Sequence, residues 1–75
     1  MAAQRAVVAE RIAHLTPREQ QIMDLLALGH SSKEIAATLK ISVRTVEGHR
    51  RVVLRKMAVS SAAHLARAVA RLDSK

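Results

Sequence analysis

Residues Ser31–Met57 read SSKEIAATLKISVRTVEGHRRVVLRKM, and this stretch decides the fold. Ser31 with Glu34 is a capping box, in which the serine oxygen accepts from the Glu34 amide while the glutamate reaches back to the serine amide. Ile35, Ala36 and Leu39 follow as a short apolar face. Lys40 and Ile41 occupy a tight turn, and Ser42 caps a longer helix that runs to about Met57. The pattern predicts two crossing helices. Ile35, Leu39, Ile41 and Val46 form the small core between them, and Ala36 is small where the second helix must come close. A helix-turn-helix of this kind places its second helix in the major groove of DNA.

The second helix sorts into two faces. Val46, His49, Val53 and Met57 recur three or four residues apart and predict the buried stripe, with His49 as a packed, hydrogen-bonded core histidine. Arg44, Glu47, Gly48, Arg51 and Arg55 share the opposite side, flanked by Arg50 and Lys56. From Val43 to Met57 five basic residues stand against one acid, Glu47, so this element carries +4 of the chain's +7. Charge concentrated on one helix points to a polyanionic partner.

Toward the N-terminus the same start device recurs. Thr16 is an N-cap, Pro17 suits the first helical position and Glu19 completes a capping box. Ile22, Leu25 and Leu26, with Met23 beside them, give a buried stripe, and Gly29 supplies the left-handed residue that ends the helix. Residues 2–13 are Ala-rich, with Val8, Ile12 and Leu15 at helical spacing, and predict a helix of marginal independent stability. Toward the C-terminus a helix starts near Ser61 and runs to about Leu72, with Leu65, Val69 and Leu72 on its apolar side and Ala62 and Ala66 filling in. No segment alternates apolar and polar residues as a strand does. The expected fold is all-α: a four-helix domain over 15–75 (helices 17–28, 32–39, 43–57 and 62–72) after a helix within 1–14.

Composition removes several functions. A core built from 75 residues contributes no more than ~3–5 kcal/mol, so oligomerisation is expected. The chain has no Cys, which excludes disulfides and Cys-based zinc sites, and is compatible with a reducing cytoplasm. His14, His30 and His64 have no metal-ligand spacing and read as solvent or boundary residues. Aromatic residues are absent, which removes the stacking platforms of single-strand binders and the usual anchors at a bilayer interface. No run approaches the ~18 apolar residues of a membrane span. Glu19 and Glu34 are explained by capping, as are Ser31, Ser42 and Ser61. No acid, base and nucleophile stand together, so no catalytic residue, metal or cofactor is expected.

These residues carry a family resemblance. Leu15-Thr16-Pro17-Arg18-Glu19, Ser32-Lys33-Glu34-Ile35-Ala36, Ile41-Ser42-Val43-Arg44-Thr45-Val46-Glu47-Gly48-His49-Arg50 and Lys56-Met57 resemble the DNA-binding domain of LuxR/FixJ/NarL-type bacterial transcription regulators, the FixJ-like branch most. The resemblance covers about Leu15 to Leu72. It implies a four-helix effector domain that binds double-stranded DNA as a homodimer in the cytoplasm, at the bacterial nucleoid. Bases would be read from Glu47, Gly48 and Arg51. Phosphates would be met by Lys33, Arg44, Thr45 and Arg50, with Ser32, Ser42, Arg55 and Lys56 completing the candidate set. The last helix would supply the dimer contact through Ala63, Ala66, Val69, Ala70 and Leu72. Residues 1–14 would be the linker from an upstream phosphorylatable receiver domain, and the whole regulator would act as an activator with RNA polymerase.

The chain also departs from the family pattern. Ser32 stands where Asn is common. Lys40 stands where many members have Gly, which implies a strained left-handed Lys40. Glu47 stands where Lys is common, and a glutamate in the groove could accept from a cytosine amino group. Val52 stands where Asn is common and weakens the phosphate set. The rival reading nearest in kind is region four of a sigma factor; the fourth helix and the Glu47–Arg50 run argue against it. A cationic membrane-surface or ribosomal protein would show Trp or Phe on a cationic helix, or long basic tails, and neither is present.

Overall fold

A computed structural model describes residues 2–73, with side chains for 5–72. Five helices follow one another: α1 (Ala2–Ala13), α2 (Pro17–Ala27), α3 (Ser32–Leu39), α4 (Val43–Lys56) and α5 (Ala62–Asp73). All regular structure among the described residues is helical, so the fold is all-α. Among the described residues no helix is long and apolar enough to cross a membrane.

The helix starts are built locally. Thr16 Oγ1 accepts from the Glu19 amide at 3.1 Å, while Glu19 Oε1 accepts from the Thr16 amide at 3.0 Å. Ser31 and Glu34 repeat the exchange at 3.2 and 2.8 Å. Ser42 Oγ accepts from the Thr45 amide at 3.0 Å, and Ser61 Oγ from the His64 amide at 3.1 Å. Each cap satisfies an amide that the helix itself leaves without a partner.

The helix ends share one geometry carried by three different residues. After α2, Gly29 (φ 94°) lets its own amide reach the Leu26 carbonyl and the His30 amide reach the Leu25 carbonyl. After α3, Lys40 adopts φ 58° and ψ 45°, the left-handed conformation expected of it, and the Ile41 amide reaches the Ala36 carbonyl. After α4, Ala58 adopts φ 57° and the Val59 amide reaches the Leu54 carbonyl. These are Schellman ends, which favour glycine because a Cβ is strained at positive φ.

The central α2 packs on α4 and α5, α3 packs on α4, and α1 packs on α5. Ile22, Met23 and Leu26 of α2 meet Ile35 and Ala36 of α3, Val46 and Val53 of α4, Met57, and Leu65 of α5 in one core, which Val8 of α1 joins. Leu39 and Ile41 cover the α3–α4 junction as partly buried residues. His49 departs from expectation. It is only half-buried, and its ring makes no hydrogen bond among the described residues. Val46 and Val53 lie seven residues apart, two turns on one face, and His49 falls at the edge of the stripe they define.

Candidate nucleic-acid interface

α4 is held by its buried side and offers the other. Val46 and Val53 are wholly buried, whereas Arg44, Thr45, Glu47, Gly48, Arg51 and Arg55 are exposed. Arg50 is half-buried beside them. Among the described residues the side chains of Arg44, Arg50, Arg51 and Arg55 make no hydrogen bond and no ion pair, and neither does that of the exposed Lys33 of α3. Cations without internal partners lose no protein contact when they meet a phosphate. Their approach would be additive in charge and screened by salt.

The start of α4 adds neutral donors. Ser42 and Thr45 hydroxyls lie 2.8 Å apart, and both residues are exposed. That contact uses one of their two protons, so the pair keeps one O–H for an outside acceptor. It sits at the helix N-terminus, where the peptide dipoles favour an anion. Val43, in the same first turn, is 41% exposed, an apolar surface beside the charged face that the hydrophobic pattern did not single out.

Gly48 is the telling residue of this face. An added Cβ would meet nothing within 4 Å, and the backbone there is helical, so neither packing nor conformation requires glycine. A glycine in mid-helix costs about 0.5–1 kcal/mol relative to alanine. The missing side chain leaves room at the surface, between Glu47 and Arg51, for something to approach the backbone closely.

Two candidate phosphate contacts are engaged or turned inward in the free domain. Lys56 Nζ lies 2.7 Å from Glu19 Oε1 and donates to the His14 carbonyl at 3.3 Å, so its charge ties the end of α4 to the start of α2. The Lys56 ammonium, then the Thr16 amide, hold the Glu19 carboxyl below its ordinary range. Ser32 Oγ is sealed from solvent and has no hydrogen-bond partner, so that hydroxyl faces inward. Ser32 is the first residue of α3 and is half-buried. Sequence separation hid a second tether: Arg11 of α1 donates to the Met57 carbonyl at 3.4 Å, across 46 residues.

On α5 the outward set is narrower than expected. Leu72 stands seven residues after the wholly buried Leu65 and, like Val69, packs partly against the core. Ala63 and Ala70 are exposed and Ala66 is half-buried, while Val69 packs partly on the core. Ala66, Val69 and Ala70 line a groove with Asp24, Ala27 and Leu28 of the α2 end. Leu28 is 76% exposed, and the expected stripe had not included it.

The comparisons agree with this geometry. The family described as bacterial regulatory proteins, luxR family, matches residues 13–69. The tetrathionate response regulatory protein TtrR of Salmonella typhimurium is 43% identical over 60 residues, which is 80% of this chain and 29% of that protein. The transcriptional regulatory protein FixJ of Bradyrhizobium diazoefficiens is 45% identical over 60 residues, with 80% of this chain and 29% of FixJ covered. The crystal structure of full-length FixJ from B. japonicum superposes with a TM-score of 0.83 at 40% identity, covering 99% of this chain and 38% of that one. The chain therefore spans less than a third of the length of these curated relatives. With a capped helix-turn-helix, a basic outer face on α4 and a matching structure along its length, the chain belongs to the luxR family of bacterial regulatory proteins, as a helix-turn-helix domain of the response-regulator type.

Proposed function

We propose that this domain is the sequence-specific DNA-reading output of a two-component response regulator, with α4 in the major groove. The observation that carries the reading is the outer face of α4, where Arg44, Arg51 and Arg55, with the half-buried Arg50 beside them, have no side-chain partner among the described residues and surround a glycine that the fold does not need. Arg51 reads a guanine edge, Glu47 accepts from a base amino group, and Gly48 allows the backbone to come close. Val43 offers an apolar contact suited to a thymine methyl. Lys33, Arg44, Arg50 and Arg55 hold phosphates, helped by the Ser42–Thr45 hydroxyl pair.

A single recognition helix makes few contacts, so two copies would read half-sites ~10 bp apart about a two-fold axis. Ala63, Ala66, Val69 and Ala70, with the exposed Leu28, are the surface offered for that contact. It is small, and the domain is proposed to be monomeric when free and to pair on DNA. An upstream receiver domain joined through α1 would raise the local concentration of the second copy. Activation through RNA polymerase, and a place at the nucleoid in the cytoplasm, complete the reading.

Titration of the isotope-labelled chain with a 20-base-pair duplex at two salt concentrations tests it. Amide shifts should concentrate in α4 and at Lys33, and affinity should fall steeply with salt. Shifts confined to α1 and α5, or an affinity indifferent to salt, would contradict the proposal.

A further inference from the structure

A second surface lies between α1 and α5, and its lining includes none of the residues assigned to DNA. Val7, Val8, Val59 and Ala68 line its apolar floor. Val7 is 43% exposed, so an apolar side chain faces the opening. Arg11 stands on the α1 side, and Arg71 with His64 on the α5 side; no acidic residue lines the groove among the described residues. Arg11 gives one N–H to the Met57 carbonyl and keeps its other donors. His64 Nδ1 accepts from the Ser60 amide at 3.3 Å, which leaves its other ring nitrogen to donate. The free space is about 280 Å³, at the lower edge of the ~300–1,000 Å³ of small-molecule sites and suited to a few inserted side chains.

On α5 this face is formed by His64, Ala68 and Arg71, spaced four and three apart. The stripe of Ala63, Ala66 and Ala70 lies on the other flank of the buried Leu65. One copy of the domain can therefore use both surfaces together. We infer that the α1–α5 groove docks an acidic amphipathic helix of a partner protein, its apolar stripe on Val7 and Val59 and its carboxylates on Arg11 and Arg71. Charge complementarity on both rims selects this occupant. A nucleic-acid backbone would satisfy the arginines but would have no use for the valine floor, and a second copy of this basic chain would bring a like charge.

The test uses the whole chain and a synthetic 15-residue helical peptide with a leucine stripe flanked by glutamates. A leucine-to-serine peptide and a glutamate-to-lysine peptide serve as controls. Amide shifts should map to α1, Val59 and the His64–Arg71 face, and neither control should bind. Arg71→Glu and Val7→Glu, each with an unchanged helical circular dichroism spectrum, should weaken the acidic peptide at least tenfold. Both should leave duplex binding by α4 within about twofold at ~0.15 M salt, where charges beyond ~8 Å are screened. No binding at millimolar peptide would overturn the inference, as would binding that maps to α4 and competes with duplex. A loss of duplex affinity in Arg71→Glu equal to that in Arg51→Glu would assign the groove to DNA and also overturn it. The duplex arm reports separately on the DNA-reading proposal.

Discussion

Val46 and Val53 are wholly buried, while Gly48 and Arg51, within a turn of them on the same helix, are exposed. The buried side of α4 obeys packing and is interchangeable in principle with any residues of that shape. The exposed side ignores packing: its arginines have no side-chain partner among the described residues, and its glycine is a poor helix former with empty space around it. The difference separates what the fold requires from what the fold tolerates. Changes on the first face should move stability and spare recognition, and changes on the second should do the reverse.

The largest expected effect tests the buried side. Val53→Ala removes buried methyl groups and leaves a cavity, for a cost of ~2–3 kcal/mol. A domain this size has only ~3–5 kcal/mol in reserve, so thermal melting should show most of its stability gone. The fraction still folded should prefer the same DNA sequences.

Gly48→Ala inverts the pattern and sharpens the comparison. Helix propensity predicts a gain of about 0.5–1 kcal/mol in chemical denaturation. The new methyl stands where the backbone should approach DNA, so duplex affinity should fall as stability rises. A residue that mattered only to the fold could not show opposite signs in the two measurements.

The next effect lies at the helix ends, away from the exposed face. Lys40→Gly and Ala58→Gly relieve left-handed strain of ~1–2 kcal/mol, offset in part by the greater freedom of glycine in the unfolded chain. Each should stabilise by up to about 1 kcal/mol in urea unfolding, and Ala58→Gly should leave DNA preference untouched.

How legible these features were depends on the distance over which they act. The capping boxes of Thr16–Glu19 and Ser31–Glu34 were legible because both partners lie within four residues. The two faces of α4 were legible because helical spacing alone separates Val53 from Arg51. Spacing fails at the margin of a stripe, which is why His49 reads as core and proves half-buried. Leu72 reads on the apolar side with Leu65, seven residues away, and that register places it partly against the core. Lys56 read as a free cation, because nothing local announces a partner 37 residues away. Ala58 carried no signal, since alanine is a strong helix former and residues other than Gly, Asn and Asp are uncommon at positive φ.

The smallest effect concerns acid, and compares the two boxes. Glu19 is held below its ordinary range chiefly by Lys56, and Glu34 chiefly by the Ser31 amide. A carboxyl depressed in the folded state adds stability that is fully present above the unfolded value, near 4.5, and is lost as pH falls through the folded value. Melting temperature should therefore decline below about pH 4.5. Glu19→Gln should flatten that decline more than Glu34→Gln, because only Glu19 also ties α4 to α2.

The central claim is that the exposed face of α4 reads bases, with Arg51 on a guanine. A binding-site selection from a random duplex library, run in parallel on the wild-type domain and on Arg51→Ala, tests it directly. A bidentate arginine–guanine contact is worth ~1–3 kcal/mol of discrimination. The wild type should return a motif with a guanine that becomes degenerate in the variant, while the remaining positions persist. An unchanged motif from Arg51→Ala would show that Arg51 does not read a base and would contradict the account.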